Sequence, residues 1–487
     1  MQRGKVAPLS MRWLWSDKVL LVLVAIVITL AASITTLLVS TKLLVLAIAA
    51  IPLLICLCWL IAAHRYEWVV AIALVVSILI DWHQLIAIRF PIFSTAIALL
   101  ACIAVLLERL ASRSLPVSYH WLLWGLLLIL AAPPILWAVL MPEAMVYYLQ
   151  IFFTPMLFFV LGTLIGQHRS LARRMFGIIA LIAALIAIHT IIAALTGVFL
   201  LETAATRDYL SSVNNFALGD GANRVGSFLR NPDWNGTFLA MLVFIPIGLL
   251  VTTPSRLARL FYLGEIIVIL LALLFTYSTA AWLSLGMGMI VLLFLSTRSA
   301  RHAWFAILLF AAIASIFVVF PHQRAVFLEH LTDSQDARLR LGAWETALRV
   351  ILAHPLNGVG LGLTSYVERA EPYRVPLQYI PLSHPHDTYL EIAALAGLPT
   401  LLAFLALLGT LLWQAFKNWR RVAMQARPLY GAALAAIIAF SFNCLTINGW
   451  TLPPLAAVAW LILAVIAAPV VVPSVYSREE KDNGNRL

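Results

Sequence analysis

The sequence predicts an all-α fold, a polytopic transmembrane helical bundle of about 12–14 spans, because its composition, its apolar runs and its basic residues agree. Of its 487 residues, 63% are hydrophobic and only 11% are charged, whereas a soluble domain carries roughly a quarter charged residues. A net charge of +11 fits either a nucleic-acid-binding protein or a membrane protein with basic cytoplasmic loops. The positions of the basic residues favour the membrane protein, so we expect contact with a lipid bilayer and no nucleic-acid partner.

Apolar segments recur along the whole chain, and a helix needs about 20 apolar residues to cross the hydrocarbon core of a bilayer. The first run, Val19 to Val39, is long enough to stay in the membrane rather than act as a cleaved signal peptide. Two later runs are short, and only a short polar turn separates the pair between 260 and 296. The expected count is therefore 12 or 14. The candidate spans lie near residues 19–39, 43–62, 67–82, 91–107, 121–141, 147–166, 175–199, 235–251, 260–276, 279–296, 303–320, 388–413, 429–447 and 452–472.

Basic residues separate the loops into two sides. If the N-terminus lies in the cytoplasm, the inner segments hold 21 of the 32 Lys and Arg residues, and the short outer hairpins hold only Lys42 and Arg89. The other nine lie in two longer outer loops, and long loops in compact proteins are usually functional or disordered. The chain thus divides into an N-terminal transmembrane bundle (1–199), a first outer loop (200–234), transmembrane helices (235–320), a large outer loop (321–387), C-terminal transmembrane helices (388–472) and a cytoplasmic tail (473–487).

The large outer loop is expected to be partly helical. From Asp336 to Ala353 the apolar and small residues fall on one helical face. Asp333 or Ser334 could cap its start, and it ends before a proline, as helices commonly do. The glycine-rich run 357–362 that follows resembles a phosphate-binding loop, but no strand precedes it and no Lys-Ser/Thr follows it. We expect a tight turn that packs on the bundle.

The segment Ser383-His-Pro-His-Asp387 lies where the large outer loop enters the next span. A His-x-His pair has three interpretations: a zinc or copper site, polar anchoring at the membrane surface, or a catalytic base. A metal site needs a further ligand, for which His322, His330 or Asp387 compete. The arginines of the two outer loops favour a catalytic base, since guanidinium groups suit bidentate recognition of phosphate and histidine accepts protons near neutral pH.

Motifs in the second half of the chain resemble those of O-antigen ligases, which share a superfamily with O-antigen polymerases and bacterial protein O-oligosaccharyltransferases. The likeness covers about residues 222–405. His386-Asp387, nine residues and Gly397-Leu-Pro-Thr400 resemble the motif His-[Asn/Ser/Gln]-x9-Gly-x-x-[Gly/Thr/Tyr]. The motifs Arg-x-Gly…Asn-Pro and Arg-x-x-x-Trp…His-Pro-x-x-Gly-x-Gly are matched by Arg224-Val-Gly226 with Asn231-Pro232, and by Arg340-Leu-Gly-Ala-Trp344 with His354-Pro355 and Gly358-Val-Gly-Leu-Gly362.

The resemblance implies a glycosyltransferase of the bacterial inner (cytoplasmic) membrane whose active site faces the periplasm. The donor would be a polysaccharide on undecaprenyl diphosphate, the acceptor a sugar hydroxyl of lipid A-core, and the product lipopolysaccharide. A single inverting displacement with His386 as general base is expected, without a cofactor or a metal. We also expect the enzyme to act as a monomer. The expected contacts to diphosphate or substrate are Arg224, Arg340, Arg338, Arg230, His384 and Asp387.

Two positions depart from the family pattern. Asp387 replaces the usual amide or hydroxyl residue, and a carboxylate beside His386 is expected to raise the pKa of that histidine. Many superfamily members also have an arginine just after a Thr-x-Ser turn between two spans. Here the turn reads Tyr277-Ser-Thr-Ala280, so either a phosphate-binding arginine comes from elsewhere or that position is not essential.

Three alternatives to a ligase stay open at the level of sequence. A polymerase would extend one lipid-linked glycan with another, and a protein O-oligosaccharyltransferase would use a serine or threonine on a protein. Many such protein-directed enzymes carry a soluble extension after the last span, which the short charged tail here does not match. A transporter or flippase tends to place ionisable residues inside its spans, and His189 is one of few candidates here.

Overall fold

The computed structural model describes residues 41–82, 92–111, 119–197, 199, 224–296 and 335–469, together with residues 307, 311, 324, 325 and 328. Within these residues the chain is helical and forms no strand. Six helical stretches among them are long and apolar enough to cross a membrane, and two of these, Met141–Gly166 and Pro232–Thr252, join consecutive shorter helices. Shorter apolar helices pack between them. The predicted all-α polytopic bundle is therefore confirmed.

Apolar helices follow one another closely along the described chain. The first half contains α1 (Thr41–Ala62), α2 (Tyr66–Val76), α3 (Phe93–Ala111), α4 (Tyr119–Ala131), α5 (Met141–Tyr148), α6 (Thr154–Gly166) and α7 (Arg169–Thr196). The second half contains α8 (Pro232–Leu242), α9 (Phe244–Thr252), α10 (Arg256–Leu274), α11 (Thr279–Ser296), α12 (Gln335–Ala353), α13 (Leu363–Ala370), α14 (Thr388–Arg421), α15 (Arg427–Asn443) and α16 (Pro453–Ala467).

The described helices coincide with the predicted spans. Twelve of the fourteen candidate segments fall in the described part of the chain, and each overlaps a helix. The segment 19–39, and all of 303–320 except residues 307 and 311, lie outside the described residues, as do the proposed caps Asp333 and Ser334. The helix predicted in the large outer loop is α12, and it ends at Ala353, just before His354-Pro355.

The last helix, α16, lies at the centre of the bundle, and almost all of its residues are buried. It packs against α6, where a Cβ on Gly162 or Gly166 would come within 3.0 Å of α16, so the two backbones approach closely, as small residues allow in membrane proteins. Aromatic rings surround its N-terminal half, with Trp450 and Trp460 at 4.7 Å between ring centroids. This packing fixes the position of the turn before α16, which lines the site described below.

Helix termini gather into two ends of the bundle. At one end, the start of α14 meets the end of α15, because Thr388 N–H donates to the Cys444 carbonyl at 3.0 Å. At the other end, Asn418 in α14 donates to the carbonyls of Ile466 and Ala468. The short basic loops within the described residues, around Arg65, Arg173 and Arg259, lie toward this second end. Arg173 donates to Thr252 and Thr253, Arg174 lies 3.7 Å from Glu67, and α14 ends there at Arg420 and Arg421.

Candidate functional site

The two histidines of the predicted site sit on a tight turn immediately before α14. The Asp387 side chain caps this helix and accepts a hydrogen bond from Leu390 N–H at 2.9 Å, as N-cap aspartates do. His386 has a positive φ of 53°, a conformation that non-glycine residues adopt at a cost. Nδ1 of His384 accepts the His386 N–H at 3.2 Å, and the two rings lie 4.2 Å apart between centroids. His384 thus supports the backbone that presents His386.

The glycine-rich turn after α12 docks on a break in α14. At Gly397 the backbone takes a φ of +85°, and a Cβ there would lie 2.1 Å from the Leu356 carbonyl oxygen. Leu398 N–H, freed by the break, donates to the Pro355 carbonyl at 2.8 Å. In return, Val359 N–H donates to the Ala394 carbonyl at 2.8 Å. The run 357–362 is therefore the expected packing turn, and the spacing from His386 to Gly397 sets the length of the helical segment before the break.

Two arginines from distant parts of the chain meet at one carboxylate. Arg224 Nη2 donates to Asp233 Oδ1 at 2.7 Å, and Arg340 Nη2 lies 3.6 Å from Asp233 Oδ2. Asp233 is in the first turn of α8, which Asn231 caps by accepting the Asp233 N–H at 2.7 Å. The cluster carries one net positive charge and is partly buried, so it can attract an anion.

Backbone carbonyls hold these two guanidinium groups in place. Arg224 Nε donates to the Thr276 carbonyl at 3.1 Å, and Arg340 Nη1 donates to the Thr446 carbonyl at 3.3 Å. Thr276 belongs to the turn between α10 and α11 at which many superfamily members have an arginine. Arg224 therefore brings a guanidinium group to this turn, which itself has none.

Burial and Arg340 determine the charge of the histidines. Burial, assisted by Arg340 and opposed by Asp233, lowers the pKa of His386 to about 4. Burial also lowers the pKa of His384, and His386 and Arg340 add to the effect. Both imidazoles are therefore neutral at pH 7, the state in which an imidazole can accept a proton.

The expectation that Asp387 raises the pKa of His386 is wrong. The Asp387 carboxylate is turned to the start of α14, where burial raises its own pKa to about 6 while the N–H groups of Leu390 and Tyr389 oppose that rise. The carboxylate that acts on His386 is Asp233. Aspartate, asparagine and serine are all good N-caps, so capping explains how Asp387 can stand at a position where the family has an amide or a hydroxyl.

The histidines and Arg340 line a cavity of about 380 Å³. A pair of tryptophans, Trp82 and Trp234, forms one wall at 5.0 Å between ring centroids. The polar lining is contributed by α5 and the residues just after it, the start of α8 and the loop before it, α12, the turn before α14, the first turn of α14, and the turn between α15 and α16. The residues that line the cavity are Trp82, Tyr147, Gln150, Ile151, Asn231, Asp233, Trp234, Ala280, Arg340, Leu363, Ser383, His384, His386, Glu391, Thr446, Ile447, Asn448, Thr451, Leu452 and Pro453.

The predicted residues are only partly brought together. Arg340, His384 and His386 line the cavity, and Arg224 reaches it through Asp233. Asp387, Arg230 and Arg338 are not among its lining residues. Arg338 is exposed on α12, and Arg230 follows the short helical turn Ser227–Leu229 with a φ of 71°. These three residues remain predictions as substrate contacts.

Sequence reasoning missed a buried acidic residue, Glu391. It is 1% exposed, lies one turn into α14 and lines the cavity. The sequence did contain a signal for Glu391, because an ionisable residue inside an apolar span commonly marks a functional position. His189, singled out on that ground, instead has a structural partner: its Nδ1 lies 2.7 Å from Ser227 Oγ and its ring stacks on Phe228.

The described residues include no group of three or more His, Cys, Asp or Glu side chains placed to hold a metal ion. His322 and His330, named as possible further ligands, lie outside the described residues. Of the three interpretations of the His-x-His pair, the described geometry bears on two, a catalytic base and polar anchoring at the membrane surface. The pair faces a polar cavity beside two arginines, and this arrangement favours the base.

Comparison with known proteins agrees with this arrangement. A protein-family model described as O-antigen ligase matches residues 266–405. That segment includes Arg340, both histidines and Glu391, whereas Arg224 and Asp233 precede it. No curated protein matches the chain. Residues 266–405 are therefore similar to the O-antigen ligase family, which confirms the resemblance carried by the motifs in this part of the chain.

Proposed function

We propose that this protein transfers a polysaccharide from undecaprenyl diphosphate to a sugar hydroxyl of lipid A-core, in the synthesis of lipopolysaccharide. The observation that carries the proposal is the placement of a neutral His386 and the Arg340–Asp233–Arg224 cluster at one cavity. Such a cavity offers a proton acceptor beside a site for an anion. A lipid-diphosphate donor needs both, since the acceptor must lose a proton and the leaving diphosphate gains charge.

In the proposed reaction, His386 takes the proton from the acceptor hydroxyl as its oxygen bonds to the anomeric carbon of the donor. The bond from that carbon to the diphosphate oxygen breaks, and the electron pair leaves with the diphosphate. Attack from the opposite face inverts the anomeric carbon. Arg340 and Arg224 stabilise the charge that grows on the leaving diphosphate, while Asp233 and the carbonyls of Thr276 and Thr446 keep the guanidinium groups in position. The scheme requires no ATP and no metal.

The proposed location is the bacterial inner membrane, with the cavity on the periplasmic side. The support comes from charge: the short basic loops within the described part of the chain lie at the end of the bundle away from the cavity, and basic loops are typically cytoplasmic. A periplasmic site has no access to cytosolic nucleotide-sugar donors. A lipid-linked diphosphate carries its own leaving group and therefore suits this compartment.

Deletion of the gene distinguishes the proposed ligase from a polymerase of the same superfamily. We expect lipid A-core without attached polymer, together with accumulated lipid-linked polymer, when surface glycans are run on a gel. Complementation with the wild-type gene should restore the polymer ladder, and the His386→Ala gene should not. Lipid A-core that carries a single repeat unit would instead indicate a polymerase, and an unchanged ladder would contradict the proposal.

A further inference from the structure

The cavity has a second polar end that the proposed chemistry does not use. Its centre is Glu391, a buried carboxyl group whose two oxygens each accept a hydrogen bond. Tyr147 donates its hydroxyl to Oε1, and Thr451 donates its hydroxyl to Oε2 at 2.9 Å. All three side chains line the cavity. A carboxylate can accept about four hydrogen bonds, so this one retains capacity toward a ligand.

Asn448 adds an unsatisfied acceptor beside this carboxyl group. Its side chain is 6% exposed and lines the cavity, and its Oδ1 has no hydrogen-bond partner among the described residues. The Thr451 hydroxyl shares its single proton between Glu391 Oε2 and the Asn448 backbone carbonyl, each at 2.9 Å, which places Asn448 next to the Glu391 contact. A buried acceptor without a partner costs free energy, and a donor on a bound ligand would remove that cost.

The two ends of the cavity differ in charge. Arg340 and Arg224 are both paired with Asp233, and the ion pairs between described residues include none to Glu391. A diphosphate is attracted to the arginine end, since the Glu391 end offers it no cation among the described residues. The Glu391 end instead suits an uncharged ligand that donates several hydrogen bonds at once, and the hydroxyl groups of a sugar ring have this property.

We propose that Glu391, Asn448, Thr451 and Tyr147 form a sugar-hydroxyl subsite, in which Glu391 and Asn448 accept hydrogen bonds from a substrate sugar. The inference rests on the proposed function, since it places a sugar next to the diphosphate site. Tyr147 and Thr451 are positioning residues that orient the carboxyl group. The sugar belongs either to the acceptor or to the first residue of the donor glycan, and the kinetics below distinguish the two.

The test measures KM and kcat with each substrate varied in turn. Glu391→Gln keeps the shape of the side chain but replaces one acceptor oxygen by a donor and removes any charge. Because the variant loses an acceptor for a sugar hydroxyl, we expect the KM for the sugar-bearing substrate to rise about 10-fold or more. Asn448→Leu should raise the same KM. Tyr147→Phe should have a smaller effect in the same direction.

Glu265→Gln is the matched control. Glu265 is also a buried glutamate in an apolar helix, at 4% exposure in α10, but it is not among the residues that line the cavity. Its substitution should leave both KM values unchanged. A purely structural role of Glu391 predicts lower protein yield with normal KM values in the protein that folds.

Each outcome either assigns the bound sugar to one of the two substrates or contradicts the proposed subsite. A rise confined to the lipid A-core KM assigns it to the acceptor, and a rise confined to the donor KM assigns it to the donor glycan. Normal KM values in Glu391→Gln and Asn448→Leu, alongside normal wild-type transfer, would overturn the subsite alone. Binding of lipid A-core and of lipid-linked glycan to the purified proteins is measured in parallel. If the wild type binds but transfers nothing, the proposed function fails, while weaker binding by both variants still supports the subsite.

Discussion

At the scale of single residues, the central feature is a histidine kept neutral by its surroundings. Burial and the nearby Arg340 both disfavour the protonated ring of His386, and Asp233 opposes them only in part. The same Asp233 pairs with Arg340, so one carboxylate links the proposed base to the proposed anion site. His384 supports the turn through its Nδ1 and also lines the cavity.

The low pKa of His386 predicts an unusual pH dependence. The neutral ring is the proton acceptor, so activity is present above the pKa and lost as the pH falls through it. For the free enzyme we expect kcat/KM to decline only as the pH approaches about 4, rather than near the ordinary value of about 6.5. Bound diphosphate adds negative charge and raises the pKa, so the acid limb of kcat should lie at higher pH.

Transfer rates of the purified protein between pH 4 and 8, at limiting and at saturating donor, test this prediction. The stability of the protein at each pH is followed separately, so that acid unfolding is not mistaken for protonation of His386. A kcat/KM that already falls between pH 7 and 6 would contradict a neutral, buried base.

The two clustered arginines are expected to depend on the shape of the guanidinium group as well as on its charge. Arg224 and Arg340 each bond a backbone carbonyl and Asp233 at once, and a lysine ammonium cannot reproduce this planar geometry. We expect Arg224→Lys and Arg340→Lys each to reduce kcat/KM at least 100-fold. Arg349→Lys is the control, because Arg349 is exposed on the same helix as Arg340 and pairs only with Glu345. Full activity in both variants would remove the diphosphate-binding role.

At the scale of elements, α14 is a helix with a required break. The first part carries Asp387 as its cap and Glu391 toward the cavity, and the break at Gly397 receives the turn 355–362. The break therefore connects the large outer loop, which supplies Arg340, to the helix that positions the histidines.

Alanine substitutions at two glycines of α14 test the importance of this break. Gly397→Ala should strongly reduce the yield of folded protein, because its backbone conformation (φ 85°, ψ 163°) is essentially restricted to glycine and costs other residues about 1–3 kcal/mol. The added Cβ would also meet a backbone oxygen at 2.1 Å. Gly409→Ala in the same helix is the control. A Cβ there would meet no atom within 4 Å, so it should preserve or slightly raise stability. Equal thermal stability of the two variants would show that the break is not needed.

The elements were largely predictable from sequence, and their tertiary contacts were not. The apolar runs predicted the spans, and the proline after His354 predicted the end of α12, because each signal lies within or next to the segment that it describes. The pairing of Asp233 with Arg224 and Arg340, and the meeting of Glu391 with Tyr147 and Thr451, join residues far apart in the chain. No local pattern records such contacts, and a motif match identifies single positions rather than partners. The effect of Asp387 on the pKa of His386 was predicted wrongly, because the Asp387 side chain caps the start of α14 although the residue follows His386 in sequence.

At the scale of the whole molecule, the bundle brings its far-separated segments to one cavity. Residues of the loop before α8, of the turn before α14 and of the turn before α16 all line the same cavity. The buried α16 and its aromatic neighbours hold that turn in place. A lipid-linked donor fits this architecture, since its diphosphate can reach the cavity while its tail stays between helices or in the bilayer.

Transfer by the purified protein, from a lipid-diphosphate-linked glycan to lipid A-core, tests the central claim most directly. The wild type should form product equally well with and without EDTA. His386→Ala should lose about a hundred- to ten-thousand-fold in rate, as general-base variants typically do, while keeping the thermal stability of the wild type. His384→Ala should lose less, because His384 supports the turn and lines the cavity but is not the proposed base. Inhibition by EDTA with equal damage from both substitutions would instead indicate a metal site, and near-normal transfer by His386→Ala would contradict the assignment of His386 as the base.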